Sequence, residues 1–288
     1  MIRKVTRKEK LLRSLWCWLL LLPLVAVVAF PLAVMFLTAL KPASEIYVYP
    51  ARWLPEQWQW SNFSAMWTQT GFGRALLNSL LVSLSATVLT IAVSVPAAYA
   101  LARLKFRGQG GYRQFLLVTQ MIAPVLLVVG LFKMAASIPW FDGSNMTDSR
   151  LAVVIAYGAF GIAFAVWMMT SYFETIPRDL EESAWLEGSG PVRTVFKVFL
   201  PLALPAMAVT ALVTFVNAWN EFAVVYTLIR STEKQTLTVL VTNMVAGQYV
   251  VQWELVMAAA ICAVVPVAIL FAWMQRYMVQ GLTSGSVK

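Results

Sequence analysis

Few residues in this chain have the means to do chemistry. Glu221 is the clearest ionisable group inside an apolar segment, in the string Asn217-Ala218-Trp219-Asn220-Glu221-Phe222. An ionisable side chain within lipid faces a bundle interior or a water-filled cavity, and marks a solute or ion path. Asn217, Trp219, Asn220 and Glu221 are therefore expected along such a path, with Thr119 and Gln120 as further candidates. The plainer reading is that Asn220 and Glu221 bond neighbouring helices or a partner subunit. The other concentration of charge is 173–205, where Glu174, Asp179, Glu181, Glu182 and Glu187 stand with Arg178, Arg193 and Lys197 between two strongly apolar segments. Much else is missing. There is no histidine and no GxxxxGK(S/T) phosphate loop, so neither a Ser-His-Asp set nor ATP hydrolysis has residues to build on. Cys17 and Cys262 lie in separate apolar runs, which leaves no disulfide framework and no metal site. The chain is expected not to be an enzyme and to hold no cofactor.

The elements that must position these residues are membrane spans. Of 288 residues, 60% are hydrophobic and 12% charged, roughly half the charge of a soluble domain. The net charge of +9 sits beside apolar runs, which is how topology is encoded, so nucleic acid is not the expected partner. The pattern predicts an all-α integral membrane fold: a basic arm over 1–14, then spans at about 15–40, 74–101, 115–137, 151–172, 202–229 and 255–273, with a polar tail over 276–288. The first apolar run competes with a cleaved signal peptide, but it is much longer than the usual core of about 7–15 residues. Five tryptophans or tyrosines between Tyr47 and Trp60 suit an interfacial loop. Pro124 is expected to kink the third span, while Gly158 and Gly161 allow close packing in the fourth. With both termini inside, 15 of the 22 Lys and Arg residues fall on the cytoplasmic side, the sense the positive-inside bias requires.

The charged stretch reads as a helix–turn–helix knob. Pro177 suits a helix start, and Asp179, Glu181 and Glu182 sit near the positive end of the helix dipole. Leu180, Ala184 and Gly188, spaced by four, suggest a narrow small and apolar face. Gly188 and Gly190 permit a turn, and Pro191 opens a second short helix, 192–200.

Glu182-Ser183-Ala184, three residues and Gly188, followed by Phe196-x-x-Phe199-Leu200-Pro201-Leu202-x-x-Pro205, resembles the EAA loop of permease subunits of bacterial ABC importers. Ser183 replaces the usual first Ala, and Glu187 stands where Asp is usual. The Trp219-Asn220-Glu221-Phe222 string resembles the fifth-span pattern of the carbohydrate, maltose-type permeases. Ala98 to Arg103 and the tail from Gln275 to Lys288 are similar to that family too.

The resemblance implies a type I importer fold with six spans and both termini cytoplasmic, in a bacterial inner membrane. It implies a sugar or sugar-like solute delivered by an extracytoplasmic binding protein. The partners would be a second permease subunit, in a heterodimer, and two ATP-binding subunits that carry ATP and Mg. Leu180, Glu182, Ser183, Ala184, Trp185, Glu187 and Gly188 would dock in a groove of the ATPase, and Gly281, Leu282, Thr283, Ser284 and Gly285 would reach toward it. The alternative is an ion-coupled secondary transporter using Glu221, although no internal repeat between halves supports it.

Overall fold

The computed structural model describes residues 7–139, 145–246 and 249–284, and is helical almost throughout. In chain order the helices are α1 (Arg7–Ala39), α2 (Ala43–Ile46), α3 (Ser61–Gln69), α4 (Phe72–Arg103), α5 (Gln109–Gln120), α6 (Pro124–Ser137) and α7 (Arg150–Thr175). Then come α8 (Arg178–Leu186) and α9 (Pro191–Thr194), a π-helical turn (Val195–Phe199), α10 (Leu200–Leu202), α11 (Leu204–Asn220) and α12 (Ala223–Leu228). A 3-10 turn (Thr232–Lys234), α13 (Leu237–Val245) and α14 (Trp253–Ser284) complete the described residues. Four of these, α1, α4, α7 and α14, are long and apolar enough to cross a membrane, or six spans result if each of two bent pairs counts as one.

The chain divides into two compact units. The first comprises 1–71 and 244–264. Its α1 is apolar on every side and exposed along its length from Arg13 to Val28, as a span facing lipid should be. Its connecting loop is tied down by rings and amide bonds. Trp53 meets Phe30, Trp60 meets Phe36 and stacks on Phe63, and the Asn62 amide donates to the carbonyls of Ala39 and Lys41.

The second unit, 72–243 and 265–288, carries the candidate sites. In it α4 packs along α7 and α11. Close approach is possible because the contact is made of small residues: Ala86 and Ala98 are fully buried, and a Cβ on Gly161 would meet Thr90 at 3.1 Å and Thr214 at 3.2 Å. Three hydroxyls of the interface return to their own helices, Thr90 donating to the Ala86 carbonyl, Thr210 to Ala206 and Thr214 to Thr210, each at 2.8 Å, while Ser94 donates across to the Ile162 carbonyl of α7 at 3.4 Å. These three hydroxyls are therefore not idle in an apolar setting, whereas the buried Thr170 hydroxyl of α7 has no partner among the described residues.

Four expected spans stand as continuous helices, at somewhat greater length. The third is not the kinked rod expected over 115–137. It is two helices, α5 and α6, meeting at 98° between Gln120 and Pro124. Proline removes the helical donor at that point, and Ala123, extended at φ −64° and ψ 130°, starts a new helix. The fifth, expected over 202–229, is broken twice, by an 81° corner between Leu202 and Leu204 and again after Asn220. Helix α14 continues without interruption from the last expected span into the polar tail as far as Ser284. Two segments expected as loops contain helices, α3 and α13.

The corner between α6 and α7 is built on Asp148, which has a left-handed backbone at φ 57°. Its N–H donates to the Leu228 carbonyl, and its carboxylate accepts the backbone N–H groups of Arg230 and Ser231, the Ser231 hydroxyl and the Lys234 ammonium. Burial alone would raise this carboxyl. The hydrogen bonds from Lys234, from the Ser231 hydroxyl and from the two backbone N–H groups outweigh it and hold the group well below the usual carboxylate range.

Two outcomes follow from this packing. Gly161→Val should destabilise the bundle by about 1–3 kcal/mol, read as a lower melting temperature in detergent, whereas Gly110→Ala, where a Cβ meets open space, should not. A depressed carboxyl stabilises fully above its unfolded value and loses that contribution as pH falls through its folded one. Protease resistance of the 145–234 corner should thus weaken below about pH 4, and Asp148→Asn should impose the same weakness at neutral pH.

Candidate functional site

The first candidate site is α8 and the turn after it. Pro177, extended at φ −57° and ψ 139°, redirects the chain out of α7, and Asp179 and Glu181 occupy the first turn of α8. The helix closes in a Schellman arrangement: the N–H of Gly188 bonds the Trp185 carbonyl and that of Ser189 the Ala184 carbonyl, both at 2.9 Å. Gly188 has φ 79°, a conformation that glycine alone adopts at little cost. Pro191 then opens α9.

One face of α8 is anchored. Glu181 accepts the Tyr99 hydroxyl at 2.6 Å and lies 3.6 Å from the Arg103 guanidinium, with the two charged side chains 6% and 4% exposed. Arg103 also donates to the carbonyls of Phe173 and Ile176 at the end of α7, and lies over the Phe199 ring, 5.0 Å from its centre. Ala184 shares this buried face. The opposite surface is open: Leu180 is 43%, Trp185 49% and Leu186 91% exposed, with Val192 and Phe196 exposed further on. Glu182, Ser183 and Glu187 are exposed as well.

This arrangement corrects the expected stripe of Leu180, Ala184 and Gly188. The helix ends at Leu186, so Gly188 lies past its end, and Ala184 turns inward while Leu180 turns outward. Sequence reasoning named Glu181 only as a first-turn acid and missed its meeting with Arg103 and Tyr99. Arg103 reads as one more topology-setting cation, and nothing local pairs it with an acid 78 positions on. Of the tail candidates, Gly281, Leu282, Thr283 and Ser284 continue the α14 backbone, while Gly285 lies outside the described residues.

The second candidate site is a cavity of about 370 Å³ bounded by α5, α7 and α11 and lined by Gln120, Tyr157, Phe160, Phe164, Thr214, Asn217 and Glu221 among others. Glu221 sits at the second break in the fifth segment, extended at φ −72° and ψ 135°. Its carboxylate accepts the Tyr157 hydroxyl at 2.7 Å and the Val224 N–H at 3.1 Å, and its carbonyl accepts the Thr238 hydroxyl at 2.9 Å. The side chain thus satisfies a free donor of the first turn of α12.

Three of the six expected path residues, Gln120, Asn217 and Glu221, come together at this cavity. The others do not line it. Trp219 is buried and stacked on Phe215 at 5.5 Å. Thr119 donates back to the Leu116 carbonyl, and Asn220 is exposed at the last turn of α11. Tyr157 and the flanking Phe160 and Phe164 are additions. A larger groove of about 690 Å³ runs between α4 and 191–211, but walls such as Val95, Pro96, Val195, Phe196 and Met207 are apolar and offer little to orient a polar solute.

The family model for the "binding-protein-dependent transport system inner membrane component" matches residues 94–284. The sulfoquinovosyl glycerol transport system permease protein SmoH of Agrobacterium fabrum is 32% identical over 259 residues, covering 90% of this chain and 88% of that protein. The trehalose/maltose transport system permease protein MalG of Thermococcus litoralis is 33% identical over 221 residues, covering 75% and 76%. Among solved structures, a bacterial ABC transporter involved in the import of the acidic polysaccharide alginate aligns with a TM-score of 0.77 at 20% identity, covering 94% of this chain and 98% of that one. That likeness is one of fold.

Breaking the Arg103–Glu181 pair leaves a buried charge without its partner, which costs about 3–5 kcal/mol. Arg103→Ala and Glu181→Ala should each expose 174–200 to limited proteolysis. The double variant should be less destabilised than the two losses added, because each single change removes the same interaction.

Proposed function

The chain belongs to the binding-protein-dependent transport system inner membrane component family, and on that footing we propose that it is the permease subunit of an ATP-driven importer for a sugar or sugar-like solute. The solute is handed over by an extracytoplasmic binding protein. The named solutes of relatives such as SmoH and MalG support the carbohydrate class. In this reading the six spans of the inner-membrane subunit include both bent pairs, with a basic cytoplasmic arm over 1–14, a permease domain over 15–275 and both termini inside. The partners are a second permease subunit and two ATPase subunits, and ATP and Mg belong to the latter.

The observation that carries the reading is the two-sided build of α8. A buried pair holds it to the ends of α4 and α7, while Leu180, Trp185 and Leu186, interspersed with Glu182 and Glu187, stand free. A rigid knob with an apolar and acidic outer surface suits a groove on a partner that moves. ATP binding closes the ATPase pair and displaces both coupling knobs. Each knob passes the displacement to the spans that hold it, and the cavity is exposed to alternate sides. Glu182 supplies a charged contact, and Leu180 and Trp185 fill the groove. Ser183 and Gly188 serve the knob's own shape, the first by donating to the Asp179 carbonyl and the second through its left-handed turn. Residues 281–285 extend toward the same partner. Gln120, Asn217 and Glu221 line this subunit's share of the path.

Because the outer surface of α8 is not needed to fold the bundle, Trp185→Ala with Leu186→Asp should leave membrane insertion and thermal stability unchanged. Solute uptake and co-purification of the ATPase should both be lost, and Glu182→Lys should act in the same direction. Wild-type uptake by these variants, at equal expression, would sink the coupling role.

A further inference from the structure

We infer that the cavity between α5, α7 and α11 favours uncharged or cationic polyhydroxylated solutes and disfavours anionic ones, so that the solute carried carries no carboxylate, sulfonate or phosphate. This rests on reading the cavity as part of the translocation path, and adds the charge class of what passes. The names of relatives cover both kinds of solute, from trehalose and maltose to the sulfonated sulfoquinovosyl glycerol, so family membership does not decide the matter.

Three observations do. Among the described residues, the charged side chain on the cavity wall is Glu221, and no lysine or arginine lines it. The described contacts of the Glu221 carboxylate are neutral donors, the Tyr157 hydroxyl and the Val224 N–H, and it has no ion pair among the described residues. The carboxylate is thus hydrogen-bonded by neutral groups, with no basic side chain paired to it among the described residues. Third, α11 ends at Asn220, and Asn217 and Ala218 in its last turn line the same wall. The carbonyl end of a helix carries the negative pole of the macrodipole, here adding to the carboxylate.

An anion entering would meet a like charge in surroundings that screen it less than water does. A neutral sugar meets suitable groups. Its hydroxyls can donate to Glu221, exchange hydrogen bonds with the amides of Gln120 and Asn217, and set an apolar ring face against Phe160 or Phe164. The volume of about 370 Å³ lies in the range of small-molecule sites, about 300–1,000 Å³.

The local potential can be read without knowing the solute. In the assembled transporter, with Cys17→Ser and Cys262→Ser removing the native thiols, Asn217→Cys places one reporter on the wall and Gln120→Cys a second on the facing helix. The probes are a cationic trimethylammonium-ethyl and an anionic sulfonato-ethyl methanethiosulfonate. Relative to free cysteine, the cationic reagent should gain on the anionic one by about tenfold or more at both positions. Glu221→Gln, which keeps a hydrogen-bonding side chain of the same shape, should collapse that preference. Equal or reversed rates with Glu221 in place would overturn the inference and leave the path reading standing. If neither reagent reaches either thiol in any nucleotide state, the cavity is not on the path, and both readings fall.

Discussion

The guanidinium of Arg103 fastens the end of α4 to three other pieces of chain. It donates to two carbonyls at the end of α7, faces the Glu181 carboxylate of α8 and covers the ring of Phe199 in the π-helical turn. An almost fully buried cation is tolerable only where its surroundings replace water. Here the free carbonyls that close a helix, an acid and an aromatic face do so together. Tyr99, one turn earlier on α4, shares the acid and meets Phe199 edge-on at 5.1 Å. The position of α8 relative to the bundle is therefore fixed by an enclosed ion pair together with the apolar cluster of Phe173, Ile176, Val195 and Phe199 around it.

That division of labour leaves the outer side of α8 free to be sticky. Leucines and a tryptophan stand open on a helix whose other face is committed. The same economy recurs at Glu221, where one carboxylate ends one helical element, starts the next and still borders the cavity. In both places a group costly to bury is used to fix backbone geometry.

Much of this was legible in the sequence, for identifiable reasons. Long apolar runs set α1, α4, α7 and α14, because lipid demands length and composition together. The turn after α8 was legible because a left-handed position calls for glycine and Gly188 supplies it. The breaks were legible only where proline announced them. The corner near Pro124 was expected as a kink and proved a full break, while the interruption after Asn220 contains neither glycine nor proline. It arises from contacts with Tyr157 and Thr238, far along the chain, which no local pattern carries. The pairing of Arg103 with Glu181 was hidden for the same reason. Helix α13, rich in threonine and valine, carries a weak helical signal, and it forms because Leu237 and Val239 find a buried place in the second unit.

The corner at Ala203 has a mechanical corollary. Pro201 and Pro205 flank it and neither has an N–H to give, so the carbonyls of Lys197 and Pro201 lack the donors that a straight helix would offer them. The 81° bend between Leu202 and Leu204 therefore lacks two of the bonds that would hold the segment straight. What joins α8 to α11 is a proline-flanked corner rather than one straight rod, with the fully buried Phe199 at its base.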